Sequence, residues 1–163
     1  HSPVLVKITV TTADDELCRK VEPRAPLASR RFSAMRQLAA NGIFTGILMM
    51  PVLPFIEDNE DNVIGITRLA SEAGARFIYP AFGVTLRQNQ REWYYSRLDE
   101  HFPGLRYKYA KQFGNAYECS SPRANELWRM FRAECDRFGI LYRMDDIIEA
   151  YREPYRSTQL SLF

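Results

Sequence analysis

Residues 7–61 read KITVTTADDELCRKVEPRAPLASRRFSAMRQLAANGIFTGILMMPVLPFIEDNED, and the alternation inside this stretch decides the fold. It opens inside a β-branched run, residues 4–10 (VLVKITV), which is short enough for a buried strand ending at Thr11-Thr12. Residues 14–21 supply a helical turn or two before Pro23 and Pro26 break the pattern. Residues 30–41 are helical, with Phe32, Met35, Leu38 and Ala39 on one face and Gly42 as the cap. Residues 43–50 return to a strand, halted by Pro51-Val52-Leu53-Pro54, and the polar run Glu57-Asp58-Asn59-Glu60-Asp61 reads as a loop.

Working outward, residues 60–73 repeat the helical pattern through Val63, Ile66, Leu69, Ala70 and Ala73, with Gly74 as the stop. Residues 76–82 (RFIYPAF) make a third strand. Strands recur at about 35 residues, the length of a βαβ unit, so the expected class is α/β with a parallel sheet covered by helices. Three strands are too few for a closed barrel. The expectation is an incomplete parallel (β/α) half-barrel over residues 1–86, then a mainly helical extension over 87–151 and a tail, 152–163. The extension reads as helices at 90–102, 106–113 and 144–151, and one capped by Ser121 with Pro122 at its first position, running to Phe138.

A chain that is 46% apolar and 26% charged is not disordered or collagen-like. Its longest apolar run, 42–56, is cut by two prolines, so no transmembrane helix is expected. Three sparse cysteines, at 18, 119 and 135, fit neither a zinc nor an iron–sulfur spacing and point to a reducing cytoplasm. Cys135 falls on an apolar helical face and reads as a buried, inert thiol. The net charge is only +2, yet 18 of the 22 basic residues are Arg, whose planar fork suits carboxylates and phosphates. Arg-rich codon usage gives the same count. The start at His1-Ser2, with no initiator methionine or signal peptide, reads as the cut edge of a longer protein.

Parallel α/β folds bind ligands at the carboxyl ends of their strands. Here those ends are Thr11-Thr12, 49–54 and 80–84. Two hydroxyls at Thr11 and Thr12, a carboxylate at Glu22 and a guanidinium at Arg30 are able to hold the charged ends of an amino acid. The plainer alternative is a Thr pair ending a strand and a loop salt bridge. Residues 93–111 interleave Tyr94, Tyr95, Tyr107 and Tyr109 with basic residues, which fits base stacking, or more simply a tyrosine-rich core face.

The stretch 7–61 resembles the C-terminal half of the radical S-adenosylmethionine barrel, in the branch similar to spore photoproduct lyase. The resemblance is carried by Thr11-Thr12, Asp15, Glu22-Pro23-Arg24-Ala25-Pro26, Arg30, Asn41-Gly42-Ile43 and Pro51-x-x-Pro54, and by GNAYECSSP at 114–122. It implies a partial six-stranded barrel whose CxxxCxxC loop holds a [4Fe-4S] cluster. Reduction cleaves S-adenosyl-L-methionine to a 5′-deoxyadenosyl radical, in a lyase-like reaction of DNA repair or nucleic-acid modification. It further implies that Thr11 and Thr12 contact the cofactor's polar end, Arg30 its carboxylate, and the backbone of Met50, Val52 and Leu53 its adenine, with Glu22 ordering the loop. CxxxCxxC is absent from this sequence. The three strands would therefore be the last three of the barrel, catalysis would need the N-terminal half of the same protein, and this fragment alone would carry no catalytic residue. Open sheet edges also invite pairing between copies.

The final residues, Gln159, Leu160, Ser161, Leu162 and Phe163, resemble the peptide by which bacterial DNA-metabolism proteins dock on the replicative sliding clamp. Leucine and phenylalanine would fill apolar pockets while the glutamine amide makes directional hydrogen bonds. The alternative function is thus a non-catalytic interaction module.

Overall fold

The structure, a computed structural model, describes residues 3–156. Strands β1 (Leu5–Thr9), β2 (Phe44–Met49) and β3 (Phe77–Pro80) form a parallel sheet in the order of the chain. Ile8 lies opposite Ile47, and Ile47 opposite Ile78. Because side chains alternate along a strand, these isoleucines share one face with Val10 and Met49. That face is the buried one.

Helices cover it in turn. After α1 (Asp15–Val21), capped by the Asp14 carboxylate, α2 (Ala28–Ala40) lays Phe32 and Met35 on the sheet. α3 (Glu60–Glu72) adds Val63, Ile66 and Ala70, and begins where the Asn59 side chain accepts from the Asn62 N–H at 2.9 Å. The chain then leaves the sheet through β4 (Gly83–Thr85), α4 (Gln88–His101), α5 (Leu105–Phe113) and β5 (Glu118–Ser120), which pairs antiparallel with β4. α6 (Ala124–Phe138) returns across α3, burying Leu127, Phe131 and Cys135 in the same core. Gly139 ends it at φ 65°, and Leu141 bridges Phe77 in parallel, so α6 serves as a further crossover. α7 (Met144–Arg156) follows, with Ile147 buried and the Tyr151 ring 6.3 Å from Phe44.

The molecule is therefore mixed α/β around a small open parallel sheet, as expected, with strand positions within a residue or two of the sequence reading. Three local expectations are corrected. The helix after Ser121 starts at Ala124, because the Ser121 hydroxyl accepts from the Arg123 N–H while donating to Asp58. The second half holds a two-stranded ladder that three-residue strands hide from pattern reading. The last helix runs on to Arg156 through Pro154. Packing also crosses the expected boundary at 86: α6 builds the first core, while Phe55 and Ile56 join a second core with Leu86, Tyr95, Leu98, Tyr109 and Cys119. Among the described residues no helix is long and apolar enough to cross a membrane. The clamp-like peptide, 159–163, lies outside the described residues.

Candidate functional site

The three carboxyl ends of the sheet meet at the β2–α3 loop, residues 50–59. Pro51 follows a cis peptide bond, and the Val52 N–H then donates to Ala81 O at 2.9 Å, tying the loop to the end of β3. Glu57 turns inward and is 1% exposed. It accepts from the Thr11 hydroxyl at 2.7 Å through Oε1 and from the Leu53 N–H at 2.9 Å through Oε2. Asn62 completes the stitch: its Nδ2 donates to Thr11 O and Glu57 O, and its Oδ1 accepts from the Ala13 N–H. Beside it Asp58 accepts from the Ser121 hydroxyl at 2.5 Å, joining the loop to the start of α6.

Burial disfavours the charged form of a carboxyl. It pushes Glu57 up to about 7, against the opposing pull of the Leu53 N–H and the Thr11 hydroxyl. Asp58 is also raised by burial, with the Ser121 hydroxyl pulling the other way. Glu57 thus changes charge near neutral pH, but both its oxygens are engaged. It is a positioning residue for Leu53, whose side chain faces a cleft.

That cleft, of about 660 Å³, lies between the α1–α2 loop, the β2–α3 loop and α4. Leu53, Ile56, Leu98 and Phe102 give it an apolar lining with Tyr94, and Lys20, Arg24, Arg97 and His101 give it polar walls. Arg97 pairs with Glu100 at 2.6 Å and stands 6.0 Å over the exposed Trp93 ring. Tyr94 donates to the Tyr109 hydroxyl, which donates to Pro54 O, each at 2.9 Å, so α4 and α5 are anchored on the same loop.

The residues singled out from the sequence fall into three groups. Glu22 and Leu53 line the cleft. Thr11, Thr12 and Val52 are buried behind it, the Thr12 hydroxyl accepting from the Asp14 N–H, and Met50 is half-buried. Arg30 is exposed on α2, and the guanidinium that pairs with Glu22 belongs to Arg31. Arg31 also donates to Pro26 O at 2.7 Å and Thr9 O at 2.8 Å, so it holds the 22–27 loop against the end of β1. The loop salt bridge in the structure is thus made by a different arginine from the one singled out. Of the stacking candidates, Tyr95 and Tyr109 are buried and Tyr94 half-buried in the second core, leaving Tyr107 exposed.

Glu57, Asn62 and Arg31 are the residues that pattern reading missed. The available signal for Glu57 was its place directly after Phe55-Ile56 at a strand's carboxyl end, where an acid is within reach of the sheet.

The three cysteines stand in α1, β5 and α6, all buried and free. Burial pushes the Cys135 thiol up to about 12, as expected for an inert core cysteine. Among the described residues no group of His, Cys, Asp and Glu is placed to hold a metal ion.

No protein-family model matches the chain, and no solved structure matches it. Uncharacterized proteins of Mycobacterium tuberculosis (strain H37Rv) and Mycobacterium bovis are each 28% identical to it over 111 residues. The match covers 68% of this chain and 32% of each relative, so the chain spans about a third of the length of the curated relatives it matches.

Proposed function

We propose that this chain is the C-terminal part of a radical S-adenosylmethionine enzyme, resembling spore photoproduct lyase, and that it presents one edge of the cofactor site. The observation that carries the reading is the winding of the sheet. β1, β2 and β3 lie side by side in chain order, all parallel, with α2, α3 and α6 on one face and α7 meeting the other at the start of β2, where Tyr151 lies 6.3 Å from Phe44. A barrel keeps order and face throughout, whereas a doubly wound sheet keeps them only within each half and reverses at its switch point; the parallel bridge from Phe77 to Leu141 carries the same order one crossover further. In this reading the opposite face, with Lys7, Thr9, Leu48 and Tyr79, is the barrel interior. Relatives about three times as long as the matched segment agree with further strands supplied elsewhere in the whole protein.

The residues present do not fit the iron–sulfur cluster. Its thiolates would have to come from outside these 163 residues, and no step is derived through it. They do fit S-adenosyl-L-methionine in chemistry: Leu53 and Ile56 offer an apolar wall for its adenine, and Arg24 or Lys20 a cation for its carboxylate. When bound, that cofactor supplies the hydrogen-abstracting chemistry. The chain's own part is to hold the wall still: Glu57 fixes the Leu53 amide, and Arg31 with Glu22 fixes the opposite loop.

The test uses the whole parent protein, reconstituted anaerobically with iron and sulfide and then reduced. Release of 5′-deoxyadenosine from S-adenosyl-L-methionine is expected. Absence of both a cluster spectrum and cofactor cleavage refutes the assignment.

A further inference from the structure

A second cleft, of about 500 Å³, opens between α6 and the Tyr142-Arg143 segment that follows it. Asn125, Trp128, Arg129 and Arg132 lie at helical spacings of three and four residues, so they form one stripe, and Tyr142 and Arg143 close its end. The lining carries three guanidinium groups and no carboxylate.

Of the neighbouring acids, Glu126 is engaged outside the cleft, while Asp146 and Asp136 each face one of its lining residues. Asp146 lies 3.7 Å from Arg143, Glu126 pairs with Arg123, and Asp136 faces the Tyr142 hydroxyl. Arg129 and Arg132 are exposed and form no salt bridge among the described residues, although Arg132 Nε donates to Trp128 O at 3.4 Å and Glu126 lies near enough to Arg129 to feel its charge. Three residues apart on a helix, the two arginines have Cα atoms about 4.5 Å apart along its axis, which lets both side chains reach adjoining anionic oxygens. Beside them Trp128 is half-buried. Its inner side is fixed by edge contacts to Phe82 and Phe131, with centroids at 5.6 Å in each case. Tyr142 meets Phe131 the same way at 6.0 Å. Both rings are therefore held rigidly by the core, with their remaining surface toward the cleft.

We propose that this arginine–tryptophan cleft binds single-stranded nucleic acid, with phosphates on Arg129 and Arg132 and a base against Trp128 and Tyr142. The openness of the site favours a polymer. A small-ligand pocket buries most of its ligand, whereas four of the six lining residues here are exposed. The pairing of guanidinium groups with core-anchored rings favours nucleic acid over an acidic peptide, because base–aromatic stacking has no counterpart in a carboxylate chain. The inference is independent of the cofactor reading. It uses the arginine excess of the sequence, which the cofactor edge leaves mostly unexplained.

The chain's only tryptophans are Trp93 and Trp128, so Trp93→Phe leaves Trp128 as sole reporter. Titration of this variant with a short oligo(dT) is expected to quench its emission saturably. Adding Arg129→Gln and Arg132→Gln, both on exposed positions, should weaken binding at least tenfold with far-ultraviolet circular dichroism unchanged. The slope of log affinity against log salt should also fall by about 1.4, at about 0.7 per lost phosphate contact. The proposal is overturned by absence of quenching, by binding seen in anisotropy that leaves Trp128 emission unchanged, or by double-variant affinity equal to the parent's. Equal affinity for polyglutamate or for duplex DNA also overturns it, assigning the cleft to acidic proteins or to duplex.

Discussion

At the scale of single residues, the Glu57 carboxyl carries the most consequence. Its acidity is shifted by burial from an ordinary 4.5 to about 7, so the folded state binds its proton more tightly than the unfolded chain does. Between those values the native state holds more protons than the unfolded state, and stability falls as pH rises. The difference amounts to on the order of 3 kcal/mol, fully expressed above neutrality. Glu57→Gln keeps an oxygen for the Leu53 N–H and an amide for the Thr11 hydroxyl while removing the charge. Urea unfolding at pH 5 and pH 8 is therefore expected to show a smaller loss of stability in the variant than in the parent. Equal losses would mean that Glu57 is not the group responsible. Glu57→Ala is a different perturbation: it leaves two buried donors unpaired and should cost about 1–3 kcal/mol for each at either pH.

At the scale of elements, the sequence announces what depends on periodicity and hides what depends on contacts between distant segments. The runs 4–10, 43–50 and 76–82 show their strands because β-branched and aromatic residues are bounded by Thr, Pro and Gly. β4 and β5 are three residues each and exist only because Val84 meets Cys119, 35 residues on, so nothing local marks them. The same divide runs through the site. The carboxyl edge was legible from the strand order, and Glu22 and Leu53 were found there. The choice of Arg31 over Arg30 is a rotation of about 100° around α2, which a loop of uncertain length before the helix does not fix. Gly46 shows how tightly one such distant contact is drawn. A Cβ there would collide with both the ring and the carbonyl oxygen of Phe77 on the neighbouring strand. Gly42, at φ +73°, has open space around its missing Cβ. Gly42→Ala should then cost about 1–2 kcal/mol through backbone strain alone, and Gly46→Ala about 3 kcal/mol or more through overpacking. Urea midpoints at constant slope separate the two, and an equal cost would mean that the β2–β3 spacing yields easily.

At the scale of the whole molecule, two hydrophobic cores share one loop. Residues 50–59 send Val52 into the first core and Phe55 and Ile56 toward the second. Phe55 sits at φ 63°, a conformation that costs a residue with a side chain about 1–2 kcal/mol. Its ring meets Tyr109 edge-on at 5.5 Å and Phe113 at 5.9 Å, contacts that offset that cost. Polar bonds from the loop then reach α5 through Tyr109 and Pro54 O, and the start of α6 through Asp58 and Ser121. Because these links between the cores run through buried, mutually satisfied groups, opening one core strands polar atoms belonging to the other. The two should therefore unfold as one unit, with amides of α3 and α5 exchanging at the same free energy. Tyr109→Phe removes the donor to Pro54 O, and Ser121→Ala removes the donor to Asp58, which is only 7% exposed. The first strands the Pro54 carbonyl and the Tyr94 hydroxyl, and the second leaves Asp58 Oδ2 without its hydroxyl donor, a loss of about 1–3 kcal/mol for each stranded group. In the double variant the α5 amides should drop below those of α3 by a similar amount, because the link is cut while α3 keeps its packing against α2 and α6. Hydrogen exchange of the parent chain decides the matter first: if α5 already exchanges well before α3, the shared loop does not couple the cores.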